Sequence, residues 1–172
     1  MLLGEKIGLR AREEADVAVL HAELYNDVAT RSRADSRPWR PLSADSTQSP
    51  YRVREGGEDA ACFSVVERAG GELAGEALLW GIDLHNRTAH VGISLRPSFR
   101  GRGLAIDVLH VLCRYGFDTR GLHRLQLETL ADNVPMIRAA ERAGFALEGT
   151  LRRSAWAGGE FADEVILARL AG

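Results

Sequence analysis

The sequence predicts an α/β domain with a mixed sheet and a βαβ unit at its centre. Three observations carry this. The first half holds short runs that alternate apolar and polar residues between turn-forming glycines and polar residues, the pattern of antiparallel strands. The second half alternates strand-like with helix-like periodicity, the pattern of strands joined through helices. And 172 residues, 45% hydrophobic and 27% charged, form an ordinary globular chain, long enough to bury roughly 70% of its unfolded surface around one core.

Ile7 and Leu9 mark a first strand. Residues 15–28 predict a helix, with Val17, Leu20, Leu24 and Val28 at helical spacing. From Arg31 to Gly57 the chain is polar and rich in arginine, broken by Pro38, Pro41, Pro50 and Gly56-Gly57, and reads as loop with a short helix. Residues 61–67 and 73–82 flank Ala69-Gly70-Gly71 and read as a hairpin; a turn at residues 85–88 leads to a strand over 89–95. Residues 104–115 predict an amphipathic helix, with Asp107, His110 and Arg114 on the polar face opposite Leu104, Val108, Val111, Leu112 and Tyr115. Residues 125–130 form a strand. Asp132-Asn133-Val134-Pro135 supplies cap residues and an early proline for a helix through Arg142, and Gly144 is placed to end it. Residues 145–151 and 164–170 close the sheet.

Composition excludes several classes. The 22 basic and 24 acidic residues leave a net charge of −2, so neither a nucleic-acid coat nor a membrane-surface protein is expected. Cys62 and Cys113 lack the density and spacing of a secreted disulfide framework. No apolar run reaches a membrane span, and the opening residues turn charged too early for a signal peptide, so a cytoplasmic chain is expected. His85 and His90 have no cysteine or carboxylate at metal-ligand spacing, and no metal is expected.

The segment Arg96-Pro97-Ser98-Phe99-Arg100-Gly101-Arg102-Gly103-Leu104-Ala105 joins a strand end directly to a helix start. Glycines there allow close backbone approach, and the first helical N–H groups are unsatisfied donors, which together suit an anion. Residues 84–106 contain no acidic residue but include Arg87, Arg96, Arg100 and Arg102. A glycine-rich connector with solvated arginines has the same composition. The spacing fits neither a mononucleotide P-loop nor a dinucleotide fingerprint.

Arg100-x-x-Gly103-x-Ala105 resembles the R/Q-x-x-G-x-G/A pyrophosphate loop of the GNAT superfamily of acyl-CoA-dependent N-acyltransferases. Residues 127–133 with Glu141-Arg142-Ala143-Gly144-Phe145-Ala146-Leu147-Glu148-Gly149 resemble a second family block. The form of that block, with Leu151-Arg152-Arg153 and Asp163 after it, is similar to the RimJ/RimL branch, whose best-known members acetylate protein N-termini. The likeness is specific over residues 89–151 and vague in the first sixty. It implies the GNAT fold: a splayed, largely antiparallel sheet of about 6–7 strands flanked by helices, in one domain over 1–172. Residues 1–88 would carry the acceptor-side loop, 89–151 the acyl-CoA core and 152–172 the closing strands. The strand ending at Leu95 would part from the one starting near Leu125.

By the same resemblance, backbone at Ile93, Ser94 and Leu95 pairs with the pantetheine arm like an added strand, and an N–H there polarises the thioester carbonyl. The backbone of Gly101, Arg102, Gly103, Leu104 and Ala105 holds the pyrophosphate, supplemented by Arg96, Arg100 or Arg102. Asn133 stands where the family places an asparagine on the pantetheine or a nearby water; a helix cap is its other role. The resemblance further implies acetyl-CoA or another acyl-CoA as cosubstrate, an amine acceptor, and subunits that pair in many relatives.

Glu128 is the candidate base, acting through water, because it alternates with the core residues Leu125 and Leu127 on the strand flanking the expected split; a solvated strand glutamate fits the same pattern. Two family residues are absent: Ala140 stands where many relatives have a tyrosine acid, and Met136 where RimL-like members have a serine. Protonation of the leaving thiolate is thus left to water or a group the sequence does not reveal. His90 is either a strand-edge histidine or faces the acceptor cleft. Trp39 either lines the acceptor mouth or anchors its loop; Trp80, Trp156 and Phe161 serve sheet packing or subunit contact. The expected activity is acetyl transfer to a primary amine, a protein or peptide N-terminus or else a small amine or antibiotic. The same motifs are compatible with a succinyl-CoA-type donor and with a non-catalytic acyl-CoA-binding module.

Overall fold

A computed structural model describes residues 1–54 and 56–172. The chain begins with β1 (Leu2–Leu3) and β2 (Ile7–Arg10), then α1 (Glu14–Leu20) and α2 (Val28–Ala34). The hairpin β3 (Ala60–Glu67) and β4 (Leu73–Asp83) is followed by β5 (Thr88–Leu95), α3 (Leu104–Arg114), β6 (Arg124–Leu130), α4 (Val134–Arg142), β7 (Ala146–Ala157) and β8 (Glu160–Leu170). They form one eight-stranded sheet in the order β1-β2-β3-β4-β5-β6-β8-β7. Every neighbouring pair is antiparallel except β5 and β6, which are joined through α3 as the expected βαβ unit. The sheet exceeds the expected strand count because Leu2–Leu3 adds a two-residue edge, too short to show a period of two. The closing strands run longer than the apolar pattern, since β7 is exposed along most of its length.

One sheet face packs against α3 and α4. Leu79, Leu125, Leu127 and Leu167 meet Val108, Leu109, Leu112 and Ala140 there, all at most 2% exposed. Each fully buried Leu or Val contributes about 1.5–3 kcal/mol. The other face carries a second cluster, Leu20, Leu24, Tyr25 and Tyr51, with Trp39 and Leu42 packed on it. Trp39 donates from Nε1 to the Tyr25 carbonyl at 3.1 Å, so this tryptophan ties the proline-rich loop to the cluster.

Two sequence expectations change. The single helix over 15–28 is broken: α1 passes into a widened π turn at His21–Tyr25, and the chain restarts at α2, where the Asp27 carboxylate accepts the Thr30 N–H at 3.3 Å. Val28 is exposed as a result. The second change concerns Asp107, which is 9% exposed rather than on a polar face. Its Oδ1 accepts the N–H of Glu5 at 3.0 Å, and its Oδ2 those of Lys6 at 2.7 Å and Ile7 at 3.0 Å. Periodicity classes an aspartate as polar, but here the β1–β2 turn brings three backbone donors over it.

Asp16 on α1 is buried beside Ser64 of β3. It accepts hydrogen bonds from Arg10 at 2.7 and 2.8 Å, from the Glu13 N–H at 2.9 Å and from Ser64 Oγ at 2.7 Å. Burial raises its pKa, but the Arg10, Glu13 and Ser64 hydrogen bonds outweigh it and hold the carboxyl at about 2 against an ordinary 3.8. Because the folded value is the lower, Asp16 stabilises the fold above about pH 4, and that stabilisation is lost as pH falls towards about 2. The melting-temperature gap between wild type and Asp16→Asn should therefore be largest near neutrality and close across that window. A gap that stays constant down to about pH 2 would contradict this.

Candidate active site

The site grows from the one parallel contact in the sheet. β5 and β6 pair only at Thr88 with Arg124, Ala89 with Leu125 and His90 with Gln126. Beyond His90 the strands diverge: β6 continues paired to β8 from Arg124 to Leu130, while residues 91–95 of β5 keep only β4. This is the expected fork. It leaves the outer backbone edge at Ile93, Ser94 and Leu95 without a strand partner, which an extended ligand can take up as an added strand.

At the open end of β5 the chain makes a short 3-10 turn, Pro97–Phe99, and enters α3 through Arg100-Gly101-Arg102-Gly103. Gly101 and Gly103 have φ of +72° and +75°, the left-handed region that favours glycine. Gly103 occupies the N-cap position of α3, where no side chain caps the helix. The N–H groups of Gly101, Arg102 and Gly103 have no hydrogen-bond partner among the described residues. Leu104 is buried, whereas Ala105 is half-buried at the start of the helix. Free amides on a left-handed glycine turn at a helix start form a cradle for an anion.

The three arginines of the segment are turned to other partners. Arg96 pairs with Glu23 through two hydrogen bonds, at 2.6 and 2.9 Å, and donates to the Leu73 carbonyl. Its hydrogen bonds to Glu23 raise the guanidinium pKa and lower that of the carboxyl. Arg100 donates to the Leu95 carbonyl at 2.9 Å and lies 3.7 Å from Asp27. Arg102 pairs with Glu67. The sequence places these charges around the loop, but carboxylates from the π turn after α1, the α2 cap and β3 meet them in the fold. Backbone amides thus remain the cradle's free donors. A cleft of about 560 Å³ lined by Glu5, Lys6, Glu67, Arg68, Arg102 and Leu104 flanks the loop and contains no β5 or β6 residue.

Across the fork, β6 presents Arg124, Gln126 and Glu128 on the face opposite α3 and α4, alternating with the buried Leu125 and Leu127. They form a chain of hydrogen bonds. Arg124 donates to Glu148 of β7 at 2.8 and 2.5 Å and to Gln126 Oε1 at 2.8 Å; Gln126 Nε2 donates to Glu128 Oε1 at 2.5 Å. Glu128 Oε2 lies 3.2 Å from His90 Nδ1. Trp80 of β4 stacks on the His90 ring at 4.3 Å. The hydrogen bonds of the Arg124 pair raise the guanidinium pKa and lower that of Glu148.

Asn133 stands at the N-cap of α4, yet its side chain does not cap the helix; its Nδ2 donates to Thr129 Oγ1 at 2.9 Å. Ala140 is fully buried and Met136 half-buried. The structure thus puts Ile93, Ser94, Leu95 and the 100–105 loop on the β5 side of one fork and Glu128 on its β6 side, with Asn133 just beyond the end of β6, and turns Arg96 away to Glu23. Sequence reasoning missed the His90–Glu128 contact. Its only trace there is parity: His90 alternates with Ala89 and Val91 as Glu128 does with Leu127, and the parallel register then sets both on one face. Among the described residues no group of three or more His, Cys, Asp or Glu could hold a metal ion, and no helix is long and apolar enough to cross a membrane.

A splayed sheet with an unpaired strand edge that ends at an amide cradle suits an extended, anion-bearing ligand. The acetyltransferase (GNAT) domain family matches residues 6–146, and the chain belongs to that family. It is 27% identical over 164 residues to an uncharacterized N-acetyltransferase, p20, of Bacillus licheniformis, covering 94% of this chain and 91% of that protein. Its structure resembles that of spermidine N-acetyltransferase from Vibrio cholerae in complex with CoA and spermine. The TM-score there is 0.85 at 25% identity, covering 96% of this chain and 95% of the other. RimL, a ribosomal L7/L12 α-N-protein acetyltransferase in complex with coenzyme A, shares the fold at a TM-score of 0.82 and 24% identity, covering 98% and 96%.

Proposed function

We propose that this acetyltransferase uses acetyl-CoA to acetylate a primary amine, a protein or peptide N-terminal α-amine, by direct attack within a ternary complex. The reading rests on one observation above all: a fork with an unpaired β5 edge ends at three free amides on a left-handed glycine turn. The residues fit coenzyme A. Gly101, Arg102 and Gly103 would hold its diphosphate, residues 93–95 its pantetheine arm, and Asn133 Oδ1 the arm or a water beside the thiol. The bound thioester supplies the acetyl group.

Holding amine and thioester in one cleft supplies about 7–11 kcal/mol of the barrier reduction, so positioning is the larger effect. Proton removal is the smaller, and Glu128 is the carboxylate that favours it. At pH 7 about 10% of an α-amine is neutral but only about 0.04% of a lysine-type amine. A site with only a weak base favours the less basic acceptor. The form of the block around Gly144-Phe145, similar to the RimJ/RimL branch, supports the same choice. A polyamine is the second reading, favoured by the likeness to the Vibrio cholerae enzyme bound to spermine.

The test is release of free thiol from acetyl-CoA with a panel of peptides of free N-terminus, lysine-type amines, spermidine and amino acids. Peptides should give the highest kcat/KM. Faster turnover of spermidine would replace the first reading with the second, and coenzyme A binding without thiol release from any amine would indicate a non-catalytic binding module.

A further inference from the structure

We propose that His90 is a catalytic residue whose Nε2 takes the acceptor amine's proton while Glu128 holds its Nδ1–H. This rests on the acetyltransferase reading above and assigns the proton a destination within it. Glu128 Oε1 accepts a hydrogen bond from Gln126 at 2.5 Å, and Oε2 lies 3.2 Å from His90 Nδ1, which donates to it in the Nδ1–H tautomer. With Oε1 held by Gln126 and Oε2 facing His90 Nδ1, the carboxylate is placed to orient the imidazole. An imidazole held at Nδ1–H by that anion presents Nε2 as a lone-pair acceptor, the arrangement by which an acidic side chain orients a histidine base.

The surroundings suit that role. Among the described residues Nε2 has no hydrogen-bond partner, and the buried side-chain atoms left unpaired among them are Arg12 Nε and His21 Nδ1, so Nε2 is not sealed from solvent. The Trp80 indole lies against the ring at an interplanar angle of 22° and limits its rotation. His90 and Gln126 are the last bridged pair before β5 and β6 part, which sets the imidazole at the apex of the fork. The charged groups around it are few. β6 brings Glu128 and, through Gln126, Arg124; β7 brings Glu148, paired with Arg124. β8 sets Ile166 and Ala168 opposite Glu128 and Gln126, and β4 sets Trp80 opposite His90. Among the described residues an imidazolium formed there faces the Glu128 carboxylate, and Arg124 on β6 is engaged by Glu148 and Gln126.

In the reaction the amine nitrogen bonds to the acetyl carbon and the carbon–sulfur bond breaks. An acceptor arriving as ammonium gives one proton to His90 Nε2, which passes it to solvent. The nitrogen's second proton reaches the departing sulfur through water. The products are the amide, the free thiol and one proton.

The experiment measures kcat/KM for thiol release from about pH 6 to about pH 9, the span between ordinary imidazole and α-amine values, in wild type, His90→Ala, His90→Gln and Glu128→Gln. His90→Ala and His90→Gln should each lose about 100-fold near pH 7, the lower end of general-base contributions, with the loss shrinking as pH rises and more acceptor is neutral. The shift in melting temperature produced by coenzyme A should be unchanged in both. Added imidazole should restore turnover to His90→Ala, which a purely structural role would not allow. Glu128→Gln should lose less than His90→Ala. If His90→Ala does not fold, His90→Gln, which keeps a polar group beside Glu128, decides the matter. Wild-type turnover and pH profile in a folded His90 variant would overturn the role of His90 alone; a wild type inactive on every amine would overturn the acetyltransferase reading and this role with it.

Discussion

Gly103→Glu is expected to abolish the thermal stabilisation that coenzyme A gives the wild type. A ligand present at 100 times its Kd stabilises by about 2.7 kcal/mol, which for a domain of this size is roughly 5–11 °C in melting temperature. The variant should show a shift near zero. Two effects act together. At φ +75° a side chain costs about 1–2 kcal/mol of backbone strain, and the new carboxylate projects beside the Gly101, Arg102 and Gly103 amides that would meet the diphosphate. Gly103→Ala separates them: it carries the strain without the charge, so it should lower the melting temperature of the free protein yet keep part of the ligand shift. There is room for the methyl, since a Cβ on Gly103 would have Lys6 Nζ as its nearest neighbour at 3.6 Å. A full coenzyme A shift in Gly103→Glu would remove the loop from the binding site.

Asp107→Ala should be the most destabilising single change on the loop side of the molecule. Its carboxylate accepts three backbone N–H groups at 2.7–3.0 Å, and hydrogen bonds to a charged group contribute about 1.5–3 kcal/mol each. Glu5 and Lys6 are exposed and their amides rehydrate after the change; that of the fully buried Ile7 does not. The expected loss is about 3–5 kcal/mol, with the Ile7 N–H carrying the largest share, or roughly 6–20 °C. Asp107 lies in the first turn of α3, four residues after Gly103, so coenzyme A affinity should fall as well when the β1–β2 turn loosens from the helix. Asp107→Asn keeps one acceptor oxygen and should lose less. A melting temperature within about 1 °C of wild type in Asp107→Ala would show that the turn is held by other contacts.

How much of this was legible in the sequence follows from which interactions are local. Alternation located β3 to β6, since a strand with one buried face imposes a period of two on its own residues. The Gly101-Arg102-Gly103 corner was legible because a left-handed turn at a helix start selects glycine whatever surrounds it. The break between α1 and α2 was not, because Val28 continues a helical spacing that only the Asp27 cap interrupts. The arginines were legible as charges but not as ion pairs: Glu23 lies 73 residues from Arg96 and Glu67 35 from Arg102.

The sequence by itself determined the α/β class, the order of its central elements, the glycine turn and the alternation that puts Glu128 on one face of its strand. Each depends on backbone preference or periodicity within a few consecutive residues. Only the tertiary structure decided that β5 and β6 part after His90 and Gln126, that Asp107 turns inward beneath a backbone turn about a hundred residues away, and that His90 meets Glu128 across 38 positions. Those outcomes depend on strand register and on partners distant in the chain, and a side chain carries no local mark of a neighbour that folding alone brings to it.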